Sequence, residues 1–306
     1  MTGPGAGRAW TEERRERGDR SDEVRHDPAG PGARAGEGRR QHYSVGTTVR
    51  IVRYAFRSGA SDYASIYTWK SWLTGWYVRV LAQVVFFALI GKLLQSDQQT
   101  WYLLVGNSVM LAAMEGIWAL NLVSWERDSG TLQLLAASPS NPVVVFAARG
   151  SYLIADGLFS ALGALFVAGA LFRMPLPWPR ILLVVPLTLL VGASAYCFGV
   201  FLAGVLIRAR RLDGIVSNVG IIVFMTLCGV NVPLAAYPAP VAFVAQFLPL
   251  THGLLAIRAV LAGDLGTALG QAALEAAVGL GWLGVCLLTF SRFVRHGRRD
   301  GSLEYA

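Results

Sequence analysis

Six long apolar runs restrict this chain to folds that can cross a membrane. Each run has roughly 18 or more mostly apolar residues, enough to span the hydrocarbon core of a bilayer as a helix. Because lipid offers no water to backbone N–H and C=O groups, a spanning segment must satisfy them internally, as a helix does. The runs are Leu73–Leu94, Trp101–Val123, Val143–Phe172, Ile181–Ile207, Ile215–Tyr237 and Thr267–Phe290.

The composition supports the same fold class. Hydrophobic residues make up 54% of the 306 residues, and the mean hydropathy is +0.47. Transmembrane β-strands would be shorter and would alternate strictly between apolar and polar residues, which these runs do not. We therefore predict an all-α membrane protein with six transmembrane helices. The third run is longer than a span needs, so its first turns are expected to lie in the membrane interface.

Arginine clusters predict the orientation of these helices. Basic residues concentrate in cytoplasmic loops of membrane proteins, and the loops on the opposite side hold only Lys92, Arg173, Arg180 and Arg258. Both termini and the loops between spans 2 and 3 and between spans 4 and 5 are therefore expected in the cytoplasm. The net charge of +8 is explained in this way without a nucleic-acid partner. The clusters are Arg50, Arg53 and Arg57; Arg127 and Arg149; Arg208, Arg210 and Arg211; and Arg292, Arg295, Arg298 and Arg299.

The sequence outside the spans divides into distinct segments. Residues 1–42 are rich in Gly, Pro, Arg and Glu and are expected to form a disordered cytoplasmic tail, since they have few apolar groups to bury. This tail is either regulatory or a dispensable extension, and it lacks the apolar core of a secretory signal peptide. The spans are expected to form one domain over residues 71–299, followed by a short tail, 300–306.

Residues 43–70 have the pattern of an amphipathic interfacial elbow helix. Val45, Val49, Val52 and Phe56 recur at helical spacing, beside the first arginine cluster, as expected of a helix in the headgroup plane. Gly59 is expected to interrupt this helix. Aromatic residues then lead into the first span as an interfacial belt. The alternative is a helix of a cytoplasmic domain, although no nearby segment is long enough to form the core of one.

Motifs for soluble catalysis are missing from the sequence. The two lysines do not close a phosphate-binding loop of the G-x-x-x-x-G-K-[ST] type, so we expect no ATP, Mg²⁺ or other cofactor on this chain. The three cysteines each lie within a predicted span, without the spacing of a metal or redox motif. The four histidines are scattered along the chain, and a metal site is not expected.

Three ionisable residues within the predicted spans form a candidate intramembrane polar cluster. Ionisable groups are costly in lipid and are functional candidates by default. Arg79, Glu115 and Asp156 all fall in the predicted cytoplasmic halves of their spans, where Arg79 could pair with either acid. Such a pair could equally be structural and fix helix packing. A proton relay would need further groups in the outer half, and Glu275 alone does not supply one.

The polar stretch between the second and third spans has the pattern of a short docking helix. Glu126 and Arg127 follow a span directly, and the Asp-Ser-Gly sequence that ends at Gly130 reads as a turn and helix start. A short leucine-containing helix is then expected to stop near Pro139. Its charge and its leucines suit contact with another protein, whereas an ordinary linker seldom needs three leucines facing the cytoplasm.

At these residues the chain resembles ABC-2-type exporter permeases, with features of the multidrug branch. The stretch W-E-R-D-S-G-T-L-Q-L-L-A-A-S-P resembles their E-R-x-x-G-T-L-x-x-L-x-x-x-P pattern, and P-L-T-H-G-L-L-A-I-R-A-V-L-A-G resembles the segment before their last span. The likeness extends over about residues 45–299. Gln133 departs from the pattern, in which an acidic residue is common.

The resemblance implies roles for two sets of residues. The first set would form the coupling helix that contacts an ATPase, and the second an outer re-entrant segment broken by prolines before the last span. Leu132 and Leu135 are three residues apart and would share one helical face. The sets are Glu126, Arg127, Gly130, Thr131, Leu132 and Leu135, and then Pro249, Thr251, Arg258 and Gly263.

The implied function is the permease subunit of an ATP-driven exporter of drugs, lipids or glycans. ATP and Mg²⁺ would bind a separate ABC ATPase subunit, and a second permease subunit, the same or different, would complete the pathway in the bilayer. The Arg-, Ala- and Gly-rich composition indicates a high-GC bacterium, and we expect the spans to lie in its cytoplasmic membrane. The alternatives are a secondary transporter or channel without an ATPase, and an intramembrane enzyme that uses Glu115 and Asp156.

Overall fold

A computed structural model of the chain describes residues 45–128, 130, 142–206 and 212–300. Every regular element within these ranges is a helix, and we number the helices in chain order. The predicted tails at 1–42 and 301–306 lie outside the described residues. The helices are α1 (Val45–Ile66), α2 (Trp69–Leu93), α3 (Asp97–Trp118), α4 (Leu122–Asp128), α5 (Pro142–Gly150), α6 (Tyr152–Leu171), α7 (Val184–Leu206), α8 (Asp213–Leu227), α9 (Ala239–Ala245), α10 (Thr251–Ala262) and α11 (Leu265–Asp300).

Five stretches of helix are long and apolar enough to cross a membrane. This confirms the all-α membrane fold, but it supports five of the six predicted spans at full length. The third span starts one residue later than predicted, and its helix is interrupted at Ser151, between α5 and α6. The five stretches are Trp69–Leu93, Asp97–Asn121, Val144–Leu171, Arg180–Leu206 and Leu265–Thr289.

The predicted fifth span, Ile215–Tyr237, is wrong in its second half. Helix α8 has 15 residues, or about 22 Å at 1.5 Å per residue, which is less than the roughly 30 Å of a bilayer core. It ends at Leu227, and Gly229 follows with a φ of 77° that no helix contains. Hydropathy did not reveal this break because the residues beyond it are also largely apolar.

Helix α3 is the central element of the bundle. In its most apolar stretch of 18 residues, 94% of the residues are buried within the described part of the chain. The corresponding share is 11–44% for the other four candidate spans. Helices α2, α6 and α7 pack around it. Its buried apolar residues form the middle of the largest hydrophobic cluster, which includes Leu104, Met110 and Ile117.

Glycines set the spacing between α3 and α7. A Cβ atom on Gly199 would overlap the backbone oxygen of Gly116, and a Cβ on Gly116 would lie 2.7 Å from Ala195. Small residues at such crossings allow helix backbones in membranes to approach closely. The α3–α7 contact therefore depends on the absence of side chains at both positions.

Helix α1 covers most of the predicted elbow segment and runs on past Gly59. Val49 and Phe56 are exposed on it, as are the arginines of its basic stripe, while Ala55 is buried. The predicted interruption at Gly59 is wrong because this glycine serves packing rather than termination: a Cβ there would overlap the carbonyl oxygen of Arg149 on α5. The place of α1 at the membrane surface stays a prediction.

Helix α2 contains one widened turn. Residues Trp72–Tyr77 form a π-helical turn between two α-helical stretches. Trp72 and Tyr77 stack on each other with ring centroids 5.4 Å apart. Such a turn has more residues than an α-helical turn and is often found at functional sites.

We expect Gly199→Val to destabilise the fold. The added side chain meets backbone rather than a movable side chain, and overpacking of this kind typically costs about 1–3 kcal/mol. The yield of folded protein after detergent extraction and its thermal unfolding midpoint should both fall. Gly284→Val is the matched control, since a Cβ at Gly284 meets no atom within 4 Å. Equal yield and midpoint for the two variants would contradict the close α3–α7 packing.

Candidate functional site

The structure describes only the first part of the predicted coupling helix. Glu126 and Arg127 belong to α4, which ends at Asp128. Gly130 follows with a φ of 69°, a left-handed conformation that glycine adopts without strain. The predicted turn at this position is therefore confirmed. Thr131, Leu132 and Leu135 lie outside the described residues, so the predicted leucine face stays a prediction.

Glu126 is buried, and this changes the role predicted for it. Glu126 is 6% exposed, and its Oε1 atom lies 2.6 Å from Nε of Arg149 on α5. The carboxylate therefore has a partner within the chain, the guanidinium of Arg149, rather than a free position for contact with an ATPase. Contact between the rest of the coupling segment and an ATPase stays a prediction.

Arg149 connects three helices. Besides Glu126 on α4, it contacts Asp62 on α1, with 2.6 Å between Nη2 and Oδ2, and its Nη1 donates to Ser58 Oγ at 3.0 Å. We call Asp62, Glu126 and Arg149 the charge link. The charge link has two carboxylates and one guanidinium, so its formal net charge is negative. Breaking a buried ion pair is far more costly than breaking an exposed one.

Two glycines allow the helices of the charge link to come together. Gly59 lets α1 lie against the backbone of Arg149, as described above. Gly150 lets α5 approach the side chain of Leu122, which a Cβ at Gly150 would overlap. The charge link is therefore a consequence of close backbone packing at both sides of Arg149.

The predicted intramembrane cluster forms only in part. Gly157 brings α6 against α3, since a Cβ at Gly157 would lie 3.0 Å from Cβ of Glu115. The structure thereby places Glu115 and Asp156 on facing helices. Asp156 Oδ1 accepts a hydrogen bond from Trp72 Nε1 at 2.9 Å, and its Oδ2 accepts one from the hydroxyl of Tyr63 at 3.3 Å.

Arg79 does not form the ion pair predicted for it. Among the described residues, no carboxylate oxygen of Glu115 or Asp156 lies within 4.0 Å of its guanidinium nitrogens. Arg79 instead stacks over the ring of Trp76, 4.4 Å from its centroid. Arg79 is an exposed residue of the span, and its guanidinium gains cation–π attraction from the indole face.

Glu115 is the unsatisfied member of this cluster. The residue is 4% exposed, and its Oε1 atom has no hydrogen-bond partner in the described part of the chain. The indole of Trp76 lies beside the carboxyl group, but its buried Nε1 does not have the geometry of a hydrogen bond. Buried polar groups are nearly always paired, so this carboxyl group is unusual.

Tyr63 connects the cluster to α1. Burial, together with the nearby carboxyl of Asp156, raises the pKa of Tyr63 above its ordinary value. The phenol is therefore held in its protonated form and remains a hydrogen-bond donor. Its ring lies 4.9 Å from that of Tyr152 on α6 and 5.1 Å from that of Tyr67.

The predicted outer segment is two short helices joined by turns. Helix α10 has 12 residues, too few to span a bilayer. Thr251 Oγ1 donates to the carbonyl of Ala245 at 2.6 Å, and the carbonyl of Pro249 lies 3.7 Å from Sγ of Cys228. Gly263 ends α10 with a φ of 92°, the left-handed residue that commonly terminates helices. The membrane side of this segment stays a prediction.

Arg258 has carbonyl oxygens as its hydrogen-bond partners. It donates to the carbonyls of Gly229, Tyr102 and Val230 at 2.8, 3.1 and 3.3 Å. It also stacks on the ring of Tyr102 at 3.5 Å. The guanidinium therefore holds the turn after α8 against α3, and this explains how a break in the predicted fifth span is stabilised.

Glu275 is a site residue to which the sequence pattern alone assigned no role. It is fully buried on α11, and its carboxylate accepts hydrogen bonds from the backbone N–H of Leu250 at 3.1 Å and of Gly253 at 2.9 Å. Those amides begin α10, where unpaired N–H groups favour a carboxylate. The signal in the sequence was an acid within a predicted span, but the helix start that it caps became visible only in the fold.

No group of three or more His, Cys, Asp or Glu residues suited to a metal ion occurs in the part of the chain that the structure describes. The absence of a cofactor from the whole chain stays an expectation.

We expect Glu275→Ala to lower stability more than Glu275→Gln does. Alanine leaves two buried amides unpaired, at about 1–3 kcal/mol each, whereas glutamine keeps one carbonyl acceptor. The thermal unfolding midpoint of the purified protein measures the difference. Asp264→Asn is a control, because Asp264 accepts from Thr267 N at an exposed helix start, where water replaces a lost bond. An unchanged midpoint for Glu275→Ala would contradict the capping role.

The comparisons with known proteins agree with this architecture. A search of curated proteins gave no match. The sequence model of the family described as ABC-2 type transporter matches residues 62–262. The match covers more than half of the chain, and it runs from Asp62 of the charge link to the end of α10. The chain therefore belongs to the ABC-2 type transporter family and is a multi-pass membrane permease of that family.

Proposed function

We propose that this chain is the permease subunit of an ATP-driven exporter in a bacterial cytoplasmic membrane. ATP and Mg²⁺ would bind a separate ABC ATPase subunit, and a second permease subunit would complete the pathway. Family membership and the apolar helices support the permease role. The arginine clusters support the proposed orientation, with both termini and the coupling segment in the cytoplasm.

The charge link is the observation that carries the coupling part of this proposal. The predicted coupling segment begins on α4, which holds Glu126 and Arg127. Glu126 is joined through Arg149 to α5 and through the same guanidinium to Asp62 on α1. A displacement of the coupling segment by an ATPase would therefore move α4, α5 and α1 together rather than α4 alone.

A buried charge link suits this role for a physical reason. The Arg149–Glu126 contact is the buried part of the link, and its separation would leave buried charges unpaired, which typically costs about 3–5 kcal/mol. The Asp62 side chain is 56% exposed, so its contact with Arg149 contributes less. The three helices are thus expected to move as one unit when the transporter changes between states of different access. Helix α6 follows α5 after a single residue, so such a movement would reach the third span directly.

We expect Arg149→Gln to uncouple ATP hydrolysis from export. Without the guanidinium, Glu126 and Asp62 lose their common partner, so the movement of α4 is no longer passed to α1 and α5. Pull-down of the ATPase should persist, while efflux per ATP hydrolysed should fall about tenfold or more, given a loss of more than 1.4 kcal/mol in coupling. The measurements are membrane level, ATPase pull-down, ATP hydrolysis and substrate efflux.

The control for this variant is Asp97→Asn. Asp97 forms an exposed ion pair with Lys92 between α2 and α3, and exposed pairs contribute little. Arg149→Lys keeps the charge and should recover part of the efflux. Full efflux by Arg149→Gln at a normal membrane level would contradict the coupling role of the charge link.

A second prediction concerns the leucines beyond α4. We expect Leu132→Ala with Leu135→Ala to weaken ATPase association, because loss of each buried interface leucine typically costs about 1–3 kcal/mol. The protein should still insert normally. Full ATPase pull-down and full efflux by the double variant would remove the docking role. A chain that transports its substrate without any ATPase would instead support the secondary transporter or channel.

A further inference from the structure

We propose that a crevice between α1, α3 and α6 binds a bulky organic cation, which is the substrate class of this permease. The inference rests on the proposed export function, and it adds to it the chemistry of the transported molecule. It combines three observations: a lined cavity, aromatic walls and a buried carboxyl group without a partner.

The crevice is formed by two neighbouring cavities of about 280 and 130 Å³. They share four lining residues, so they lie on either side of the same side chains. The larger cavity also borders the charge link, and the smaller one reaches Glu115. The shared residues are Tyr63, Leu122, Trp125 and Tyr152.

Aromatic rings form most of the walls of the smaller cavity. Tyr63, Tyr67 and Tyr152 lie on one side as a row of tilted rings. Trp76 and Trp118 meet edge to face, with centroids 6.0 Å apart. The faces of such rings attract cations, and several rings around one volume form the kind of cage that holds quaternary ammonium groups.

Glu115 supplies the charge that the cage would pair with a cation. It lines the smaller cavity, is 4% exposed, and has an Oε1 atom without a partner among the described residues. Arg79, the residue predicted to pair with it, stacks on Trp76 instead. The neighbouring carboxyl of Asp156 already accepts two hydrogen bonds. A bound cation would give Glu115 the partner that the described part of the chain does not provide.

The charges around the crevice select against anions. Asp62, Glu126 and Glu115 line the two cavities together with one guanidinium, that of Arg149. Arg149 is already paired with two of these carboxylates. An anion would therefore meet aromatic faces, which repel it, and no unpaired cationic side chain among the lining residues.

The lining also distinguishes an organic cation from a metal ion. Hard metal ions need several oxygen ligands to replace their water, whereas the smaller cavity offers one carboxyl group and the amide of Asn121 among aromatic and aliphatic side chains. A cation with apolar substituents loses little hydration on entry and gains contact with the rings. Trp118 and Trp125 are partly exposed at the crevice, which leaves a route for such a molecule from the bilayer.

The test is binding of tetraphenylphosphonium to the purified full-length chain in phosphatidylglycerol nanodiscs, with empty nanodiscs subtracted. Tetraphenylborate has the same shape and the opposite charge. We expect saturable binding of the cation and none of the anion. Equal saturable binding of both ions, or of neither, would overturn the proposal without any variant.

Variants then place the site. Glu115→Gln should weaken cation binding about tenfold, and Trp118→Leu about threefold or more, as expected from loss of a charge partner or a cation–π contact. Asp97→Asn, an exposed carboxylate at the other end of α2 and α3, should bind like the wild type. Wild-type affinity in both Glu115→Gln and Trp118→Leu would overturn the assignment to this crevice.

A competition experiment with lipid distinguishes two sources of such a cation, a lipid headgroup and a free organic molecule. If phosphatidylcholine in the nanodiscs competes with tetraphenylphosphonium, the natural ligand is a choline-type headgroup; if it does not, the ligand is a free organic cation. None of these measurements involves an ATPase. Cation binding with failed ATPase coupling would therefore refute the proposed function alone, and intact coupling without cation binding would refute this inference alone.

Discussion

The scarcity of water in a bilayer is the constraint on which this structure depends. Each polar group that leaves water must find a partner within the chain. Helical hydrogen bonds satisfy most of the backbone groups. Individual side chains satisfy others where the helices end. Glu275 accepts from the amides that begin α10, and Arg258 donates to the carbonyls of the turn after α8. The start of α10 and the turn after α8 are each held by hydrogen bonds to a charged side chain.

The same constraint explains why close helix packing accompanies the polar contacts. A carboxylate and a guanidinium must approach within hydrogen-bond distance to offset their loss of hydration. The charge link achieves this because Gly59 and Gly150 remove the side chains that would hold α1, α4 and α5 apart. Glycine and charge thus act together here, and neither residue type would build the link alone. Oε1 of Glu115 is one of the buried side-chain atoms of the described residues that lack a hydrogen-bond partner, and we assign its partner to a ligand.

The sequence predicted the features that depend on local pattern. The all-helical fold, five of the spans close to full length, the helix at Val45 and the turn at Gly130 follow from hydropathy, periodicity and glycine. The fifth span was too long because apolar residues continue past Leu227, and only the contact with Arg258 shows where the helix ends. Arg79 and Glu126 were assigned the wrong partners for a related reason. Charge and spacing along the chain do not determine which of several nearby groups a side chain faces after folding.

The widened turn in α2 has a consequence for comparisons between relatives. Trp72 and Tyr77 are five positions apart and still stack, because the π turn contains about one residue more than an α-helical turn. Removal of one residue there would restore a regular helix and rotate everything before it by about 100°. Trp72 would then turn away from Asp156, and Thr68 and Trp69 would turn with it. A relative one residue shorter in this turn would keep its hydropathy profile and lose the hydrogen bond, so an ungapped alignment would equate residues that point in different directions.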